Sequence, residues 1–247
     1  MTQKIFPMQL ERSALITPTI LEVAFRRADG EPFQHMAGQF VNFHIETNGE
    51  LAQRSYSIAT APGADGLVEI AVSPVQGGLA TDLLFGLKPG DRIQASGPYG
   101  RFVLREDPPC RYVLAATGTG VTPYRAMLPE LERRLSSGYQ VELLLGVWRR
   151  EELLYGRDFI EMAKKYPQFS FRACYSREFP QQPEVWEARG YVQTHFGELA
   201  LDPTKDVIYL CGNPDMIDQA MEQLRALSFP SRNLRREKYL PSRTGAA

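Results

Sequence analysis

The sequence predicts two domains in series, an antiparallel β-sandwich or barrel followed by an α/β domain with a parallel sheet. Three observations predict it. The first hundred residues run in short alternating stretches closed by Gly, Pro or Asn, the grammar of small antiparallel strands. Beyond "LREDPPCRY", apolar strands alternate with helical stretches, which implies right-handed crossovers and helices on both faces of a parallel sheet. Finally, 247 residues give room for two ordinary domains.

The strands of the first part are "ILEVAFRRADG", "QFVNFHIETNG", "RSYSIATAPG", "LVEIAVSPVQGG" and "DRIQASGPYG". "RSYSIAT" stands out because Arg54, Tyr56 and Ile58 share one face and Ser55, Ser57 and Ala59 the other. Neither face is plain core. Asp107, Pro108 and Pro109 read as a linker, since paired prolines resist both helix and central strand. The boundary falls there, giving domains over 1–106 and 107–247. The second part then runs "RYVLAATG", "TPYRAMLPELERRL", "QVELLLGVW", "GRDFIEMAKKY", "FSFRACYS", "VQTHFGELAL", "DVIYLCG", "PDMIDQAMEQLRAL" and "NLRREKYL". No internal repeat or low-complexity segment interrupts it.

Composition narrows the function. With 43% hydrophobic and 23% charged residues the chain is globular, and a net charge of -1 argues against a general nucleic-acid binder. "MTQKIFPMQLERS" lacks the apolar stretch of a signal peptide, and runs such as "VELLLGVW" are too short to cross a bilayer. A cytoplasmic protein without a membrane partner is expected. Cys110, Cys174 and Cys211 are isolated, and the histidines at 35, 44 and 195 have no metal spacing, so no metal site is expected. His44, between Phe43 and Ile45, reads as a polar-face histidine. Redox chemistry here would need an organic cofactor.

"ATGTGVTPYRAML" follows a buried-looking strand and opens a helix. Gly118 and Gly120 permit a tight turn and close approach of backbone N–H groups. Thr122 can cap the helix and Pro123 suits its first turn. Tyr124, Leu128, Leu131 and Leu135 fall on one face, while Pro129 inside the helix should kink it. Such a turn is either an anion site for a dinucleotide pyrophosphate or an ordinary βα turn. "YLCGNPDMIDQA" repeats the design, with Cys211 at the carboxyl edge of the sheet and Pro214 starting the next helix. Cys211 is either a site residue there or simply a small buried one. Ser176 and Arg177, and Arg149 and Arg150, follow strands. They could grip a 2′-phosphate or lie solvated on the surface.

"RSYSIAT", "GGLAT", "GPYG", "TGTGVTP", "SRE" and "CGNP" occur in order over nearly the whole chain. Together they resemble the ferredoxin/flavodoxin–NADP reductase family, of the FAD-dependent bacterial type. The resemblance implies an antiparallel Greek-key β-barrel that binds FAD and a doubly wound parallel sheet that binds NADP. It implies that Arg54 pairs with the FAD pyrophosphate and that Tyr56 lies flat on the isoalloxazine, with Ser55 beside it. Ser57 would hydrogen-bond near flavin N5. Gly77, Gly78, Leu79, Ala80 and Thr81 would offer backbone N–H groups, and Thr81 its hydroxyl, to the pyrophosphate; the backbone at Val72 would hold the neighbouring edge. Thr117, Gly118, Thr119 and Gly120 would hold the NADP pyrophosphate, Ser176 and Arg177 its 2′-phosphate, with Arg149 and Arg150 nearby, and Tyr191 would pack on adenine. The nicotinamide would dock beside Cys211 and Gly212, with Ser57, Cys211 and Glu237 as the catalytic set around the transferring hydride.

Two departures from the family pattern mark this chain. Trp148 stands where many members place an arginine, and "LPSRTGAA" follows Tyr239, the candidate for the terminal aromatic that stacks on flavin. The tail either folds away, meets the FAD adenine or gates the nicotinamide pocket. The resemblance implies electron transfer between NADPH and ferredoxin or flavodoxin by a monomer. Arg232, Arg235, Arg236, Lys238 and Arg243, against Glu237, suit an acidic partner, or are a solvated basic tail. The rivals are a reductase component of an oxygenase, a free-flavin reductase, and a noncatalytic nucleotide-binding sensor.

Overall fold

The structure, a computed structural model, describes residues 4–47, 50–63 and 65–240. The described residues group into two compact units that change over between Leu104 and Arg105, with Thr122–Met127 grouping with the first.

The first unit holds β1 (Ile5–Leu15), β2 (Leu21–Arg27), β3 (Phe40–Thr47), β4 (Glu50–Ser57), β5 (Val68–Val72), α1 (Leu79–Gly86) and β6 (Arg92–Tyr99). Its strands form one antiparallel sheet in the order β4-β3-β6-β1-β2-β5. An antiparallel bridge between Ile58 and Ile70 joins the two outer strands and curls the sheet toward closure. The core follows from the pleat, which sends alternate side chains inward: Phe6, Met8 and Leu10 of β1, Val41, Phe43 and Ile45 of β3, and Val68, Ile70 and Val72 of β5. Phe25 and Phe43 pack ring to ring at 5.0 Å. On α1, Ala80 and Leu84 join this core while Leu79 and Leu83, one residue earlier, stay exposed, as helical spacing requires.

Two features differ from the sequence reading. β1 is a strand that the sequence reading does not contain: Phe6, Met8 and Leu10 alternate, but Pro7, which cannot donate to a ladder, hides the signal. The Pro7 carbonyl still accepts from Ala28 N at 2.9 Å. His44 is not on a polar face. It is buried, with Nε2 2.8 Å from Ser96 Oγ on the neighbouring strand β6, while its buried Nδ1 has no hydrogen-bond partner among the described residues.

The second unit holds β7 (Arg111–Thr117), α2 (Thr122–Leu135), β8 (Gln140–Val147), α3 (Gly156–Lys165), β9 (Phe169–Tyr175), β10 (Glu187–Arg189), β11 (Asp206–Gly212), α4 (Pro214–Ala226) and β12 (Leu234–Lys238). The six strands are parallel, in the order β10-β9-β8-β7-β11-β12. Alternation along β9 shows helices on both faces: Phe171 meets Phe159 of α3 at 5.5 Å, whereas Cys174 joins Ile217, Ala220 and Leu224 of α4. Strand order reverses between β7 and β11, the switch point at which open α/β sheets bind ligands.

The α2 face Tyr124, Leu131 and Leu135 is buried, with Leu128 half-buried. Thr122 does not cap this helix. A 3-10 turn over Gly118–Val121 runs straight into it and puts Val121 at the cap position without a side-chain bond; Pro123 is in the first turn and the helix runs through Pro129 to Leu135. "VQTHFGELAL", a helix by alternation, is a 3-10 run over Val192–Leu199 preceded by the short strand β10. No helix among the described residues is long and apolar enough to cross a membrane.

Candidate functional site

At the switch point two turns press backbone against backbone. A Cβ on Gly120 would lie 2.4 Å from the Cys211 carbonyl oxygen, and one on Gly212 would lie 2.5 Å from Thr117 Oγ1 and 2.7 Å from the Thr117 carbonyl. Gly212 also has φ +119°, which L side chains rarely adopt. The Thr117 hydroxyl accepts from Asn213 N at 2.8 Å and so ties the two turns together. Asn213 then caps α4, its Oδ1 accepting from Asp215 N at 2.8 Å and Met216 N at 3.2 Å, with Pro214 in the first turn. Gly118 differs: φ is +51° and a Cβ there would meet nothing within 4 Å, so its outer side is open. The open outer side of Gly118, in a glycine turn that leads into the start of α2, leaves room for a phosphate anion at the positive end of that helix.

Beside this cradle, Cys211 is fully buried and shares its register position with Glu237 on the neighbouring strand β12. Burial first, and the Glu237 charge second, push its thiol well above the ordinary value; a bond with Tyr239 pulls the other way. Cys211 is therefore a neutral thiol. Tyr239 N donates to the Gly212 carbonyl at 2.8 Å, which extends the β12 side of the site past the end of the strand. The tail from residue 241 on, Arg243 included, lies outside the described residues.

The arginines after β8 and β9 have separate tasks. Arg150 Nε donates to Glu187 Oε1 at 2.7 Å, and its Nη2 bonds to the other carboxylate oxygen. The Glu187 side chain is wholly buried and also accepts from the Tyr175 hydroxyl at 2.7 Å. Burial would lift this carboxyl, but the bonds from Arg150, the Glu184 backbone and Tyr175 hold it below the usual value. Arg149 lies 3.2 Å from Glu178 and 3.6 Å from Glu152. Arg177 instead lies over the Trp148 ring at 3.9 Å. Ser176 closes the strand end, its N and Oγ donating to the Val147 carbonyl at 3.0 and 3.3 Å. Tyr191 is mostly exposed ahead of the 3-10 run.

In the first unit, β4 carries Arg54, Ser55, Tyr56 and Ser57. Tyr56 packs on Phe43 at 5.7 Å, and burial pushes its phenol up to about 12 against the pull of the Arg54 charge. Arg54 Nη1 donates to the Gln53 carbonyl at 2.8 Å. Ser55 Oγ donates to Asn42 Oδ1 at 2.6 Å, and Ser57 is buried. The Val72 side chain is core, so this residue can offer a ligand only its backbone. Gly77 has φ +68°, and a Cβ on Gly78 would meet Thr81 Oγ1 at 2.8 Å and the Val75 carbonyl at 2.9 Å. The Thr81 hydroxyl donates to the Gly78 carbonyl at 2.7 Å, so it closes the turn. What this segment presents is the start of α1 over Leu79, Ala80 and Thr81, with no side-chain cap on Gly78. A guanidinium, an aromatic ring and an uncapped helix start suit a pyrophosphate joined to a flat ring system.

In the first unit Tyr56 and Ala80 share one core cluster, and in the second Gly120 and Gly212 pack on Cys211 and Thr117 with Glu237 in register beside Cys211. Arg149 and Arg150 are drawn off to carboxylates. Sequence reasoning missed Asn213, whose signal was an Asn directly before Pro-Asp at a helix start, and it missed the partner that Trp148 finds in Arg177. Among the described residues no cluster of His, Cys, Asp and Glu could hold a metal.

Residues 7–104 match the oxidoreductase FAD-binding domain and residues 114–222 the oxidoreductase NAD-binding domain. Ferredoxin–NADP reductase B of Sorangium cellulosum is 33% identical over 91% of this chain and 93% of that protein. The reductase component of propane 2-monooxygenase from Rhodococcus jostii is 30% identical over 88% of this chain, which spans only 59% of that relative. The crystal structure of an Amycolatopsis cytochrome P450 reductase superposes with a TM-score of 0.84 at 30% identity, over 97% of this chain and 72% of that one.

Proposed function

This chain belongs to the ferredoxin–NADP reductase family of FAD- and NAD(P)-binding oxidoreductases, and from that premise we propose that it exchanges electrons between NADPH and ferredoxin or flavodoxin. Bound FAD supplies the chemistry that side chains lack, taking up two electrons with hydride and passing them on singly. The chain's own residues bind and orient. Arg54 and the N–H groups from Leu79 to Thr81 would bind the FAD pyrophosphate, Gly78 N being held by the Val75 carbonyl at 2.8 Å, while Tyr56 gives the ring system an apolar surface and Ser57 a polar contact from a buried position. In the second unit, Thr117 to Gly120 receive the nicotinamide nucleotide's pyrophosphate. Cys211 and Gly212 bound the nicotinamide, with Glu237 as a fixed charge beside them. Because Cys211 stays protonated, it contributes shape and a weak donor rather than a thiolate nucleophile. The residues' contribution would be orientation of the bound groups, since placement of reacting atoms can supply much of an acceleration.

The observation that carries the choice of partner is the match over nearly the full length of a ferredoxin–NADP reductase. The β12 edge supports it: Arg235 and Arg236 stand on that strand after Arg232, though Lys238 is held by Asp218 at 2.6 Å. We read the protein as a cytoplasmic monomer with domains 1–106 and 107–247. Likeness to a cytochrome P450 reductase and to a monooxygenase reductase component favours a second reading, delivery of electrons to an oxygenase.

Anaerobic stopped-flow of the FAD-loaded protein against NADPH and NADH tests the first half. Fast loss of the oxidised-flavin band with NADPH, and slow loss with NADH, is the expected result. No loss with either nucleotide would overturn the reductase reading in favour of a sensor. Adding purified ferredoxin, flavodoxin or an oxygenase component to the reduced protein then separates the partner readings by which one reoxidises the flavin.

A further inference from the structure

Three arginines stand at the ends of β8 and β9, and they are not equivalent. Arg150 is forked onto the buried Glu187 and also donates to the Gln182 carbonyl at 3.3 Å. Arg149 is paired with Glu178 and Glu152. A phosphate at either one would compete with a carboxylate already beside it. Among the described residues Arg177 forms no ion pair, and its guanidinium lies 3.9 Å over the Trp148 ring. The turn that carries Arg177 does not depend on the indole. The Trp148 carbonyl accepts from Arg177 N at 3.1 Å and Glu178 N at 3.0 Å, bonds that any residue at 148 could make. The indole itself is 50% exposed, so it fills little core. Its visible task is to hold the guanidinium.

Resting on the NADP reading above, we propose that Trp148 is a positioning residue for nucleotide specificity: it holds Arg177, the uncommitted cation of the three, as the reader of the 2′-phosphate. Stacking occupies one face of the guanidinium and leaves its N–H edge free for a bidentate phosphate contact. It also orders a long side chain before the ligand arrives, which lowers the entropic cost of binding. Trp148 thus stands in for the arginine expected at its position, by supporting a cation instead of supplying one.

Isothermal titration of the full-length FAD-loaded protein with adenosine 2′,5′-bisphosphate and with adenosine 5′-monophosphate tests this without turnover, because the probes differ only in the 2′-phosphate. The wild type is expected to bind the bisphosphate more tightly. W148A should weaken bisphosphate binding roughly two- to fivefold, the size of an exposed cation–π contact, and leave the monophosphate unchanged. W148F should recover most of the loss, R177M should erase the preference, and R150M should retain it. A melting curve of W148A matching the wild type confirms that the fold is intact. Equal weakening of both probes by W148A would overturn the positioning role, since it would make Trp148 an adenosine contact or a packing residue. Preference erased by R177M but kept in full by W148A would also remove Trp148 alone. A wild type without preference would take down the NADP reading itself.

Discussion

Cys211 and Glu237 occupy the same register position on the parallel strands β11 and β12, so a buried thiol and a carboxylate close the sheet edge side by side. Because Cys211 has no solvent contact and Glu237 repels a second negative charge, the thiol stays protonated.

Thiol chemistry checks that arrangement. Burial pushes the Cys174 thiol up to about 12 and, with help from Asp107, the Cys110 thiol up to about 11. In the native protein near neutral pH a small disulfide reagent should therefore modify all three cysteines slowly, and all three rapidly once the chain is unfolded in urea. Peptide mapping that finds Cys211 labelled at the rate of a free thiol would contradict the buried neutral state.

Gly212 and Gly118 separate close packing from an open turn. Gly212→Ala drives a methyl into Thr117 and should cost about 3 kcal/mol or more, the sum of overpacking and a strained backbone. Gly118→Ala meets no atom and should cost about 1–2 kcal/mol, from its positive φ alone. Urea unfolding of the two variants measures the difference. Equal losses would mean that the two turns do not press together as described.

Glu187→Gln tests the buried fork. Arg150 is partly exposed, and water can take over some of its bonds, so the cost is expected at about 1–3 kcal/mol. The pH dependence has a definite sign. Glu187 is held below the usual 4.5 in the folded state, so its stabilisation is whole above 4.5 and is lost as pH falls through the lowered value. The gap in urea midpoint between wild type and variant should close as pH is lowered through that window. A constant gap would show that charge is not the cause.

Tyr56 tests the flavin face. Tyr56→Phe keeps the ring on Phe43 and should retain FAD through gel filtration, whereas Tyr56→Ala should weaken FAD binding by about 1 kcal/mol, the worth of an aromatic contact. Alkaline titration of the wild type should also show one phenol ionising at about 12 that is missing in Tyr56→Phe. If Tyr56→Ala holds FAD as tightly as the wild type, the ring is not part of that site.

The sequence by itself determined the two units, the parallel sheet with its helices, the glycine turns and the order of motifs. These are local properties: alternation, helical spacing and glycine's freedom at positive φ act among residues a few positions apart. Where a local signal was broken the reading failed, as at Pro7 inside β1, and at Thr122, where a 3-10 turn left no capping position. Only the tertiary structure decided which charges were committed. Arg149, Arg150 and Arg177 look alike in sequence, yet Glu187 lies 37 residues beyond Arg150 and Arg177 reaches Trp148 from the next strand. The same holds for His44, whose Nε2 meets Ser96 from a strand 52 residues away, and for Cys211 beside Glu237. An ion pair or a stack depends on which strands become neighbours, and strand order is fixed by burial of the whole core, so no short stretch of sequence contains it.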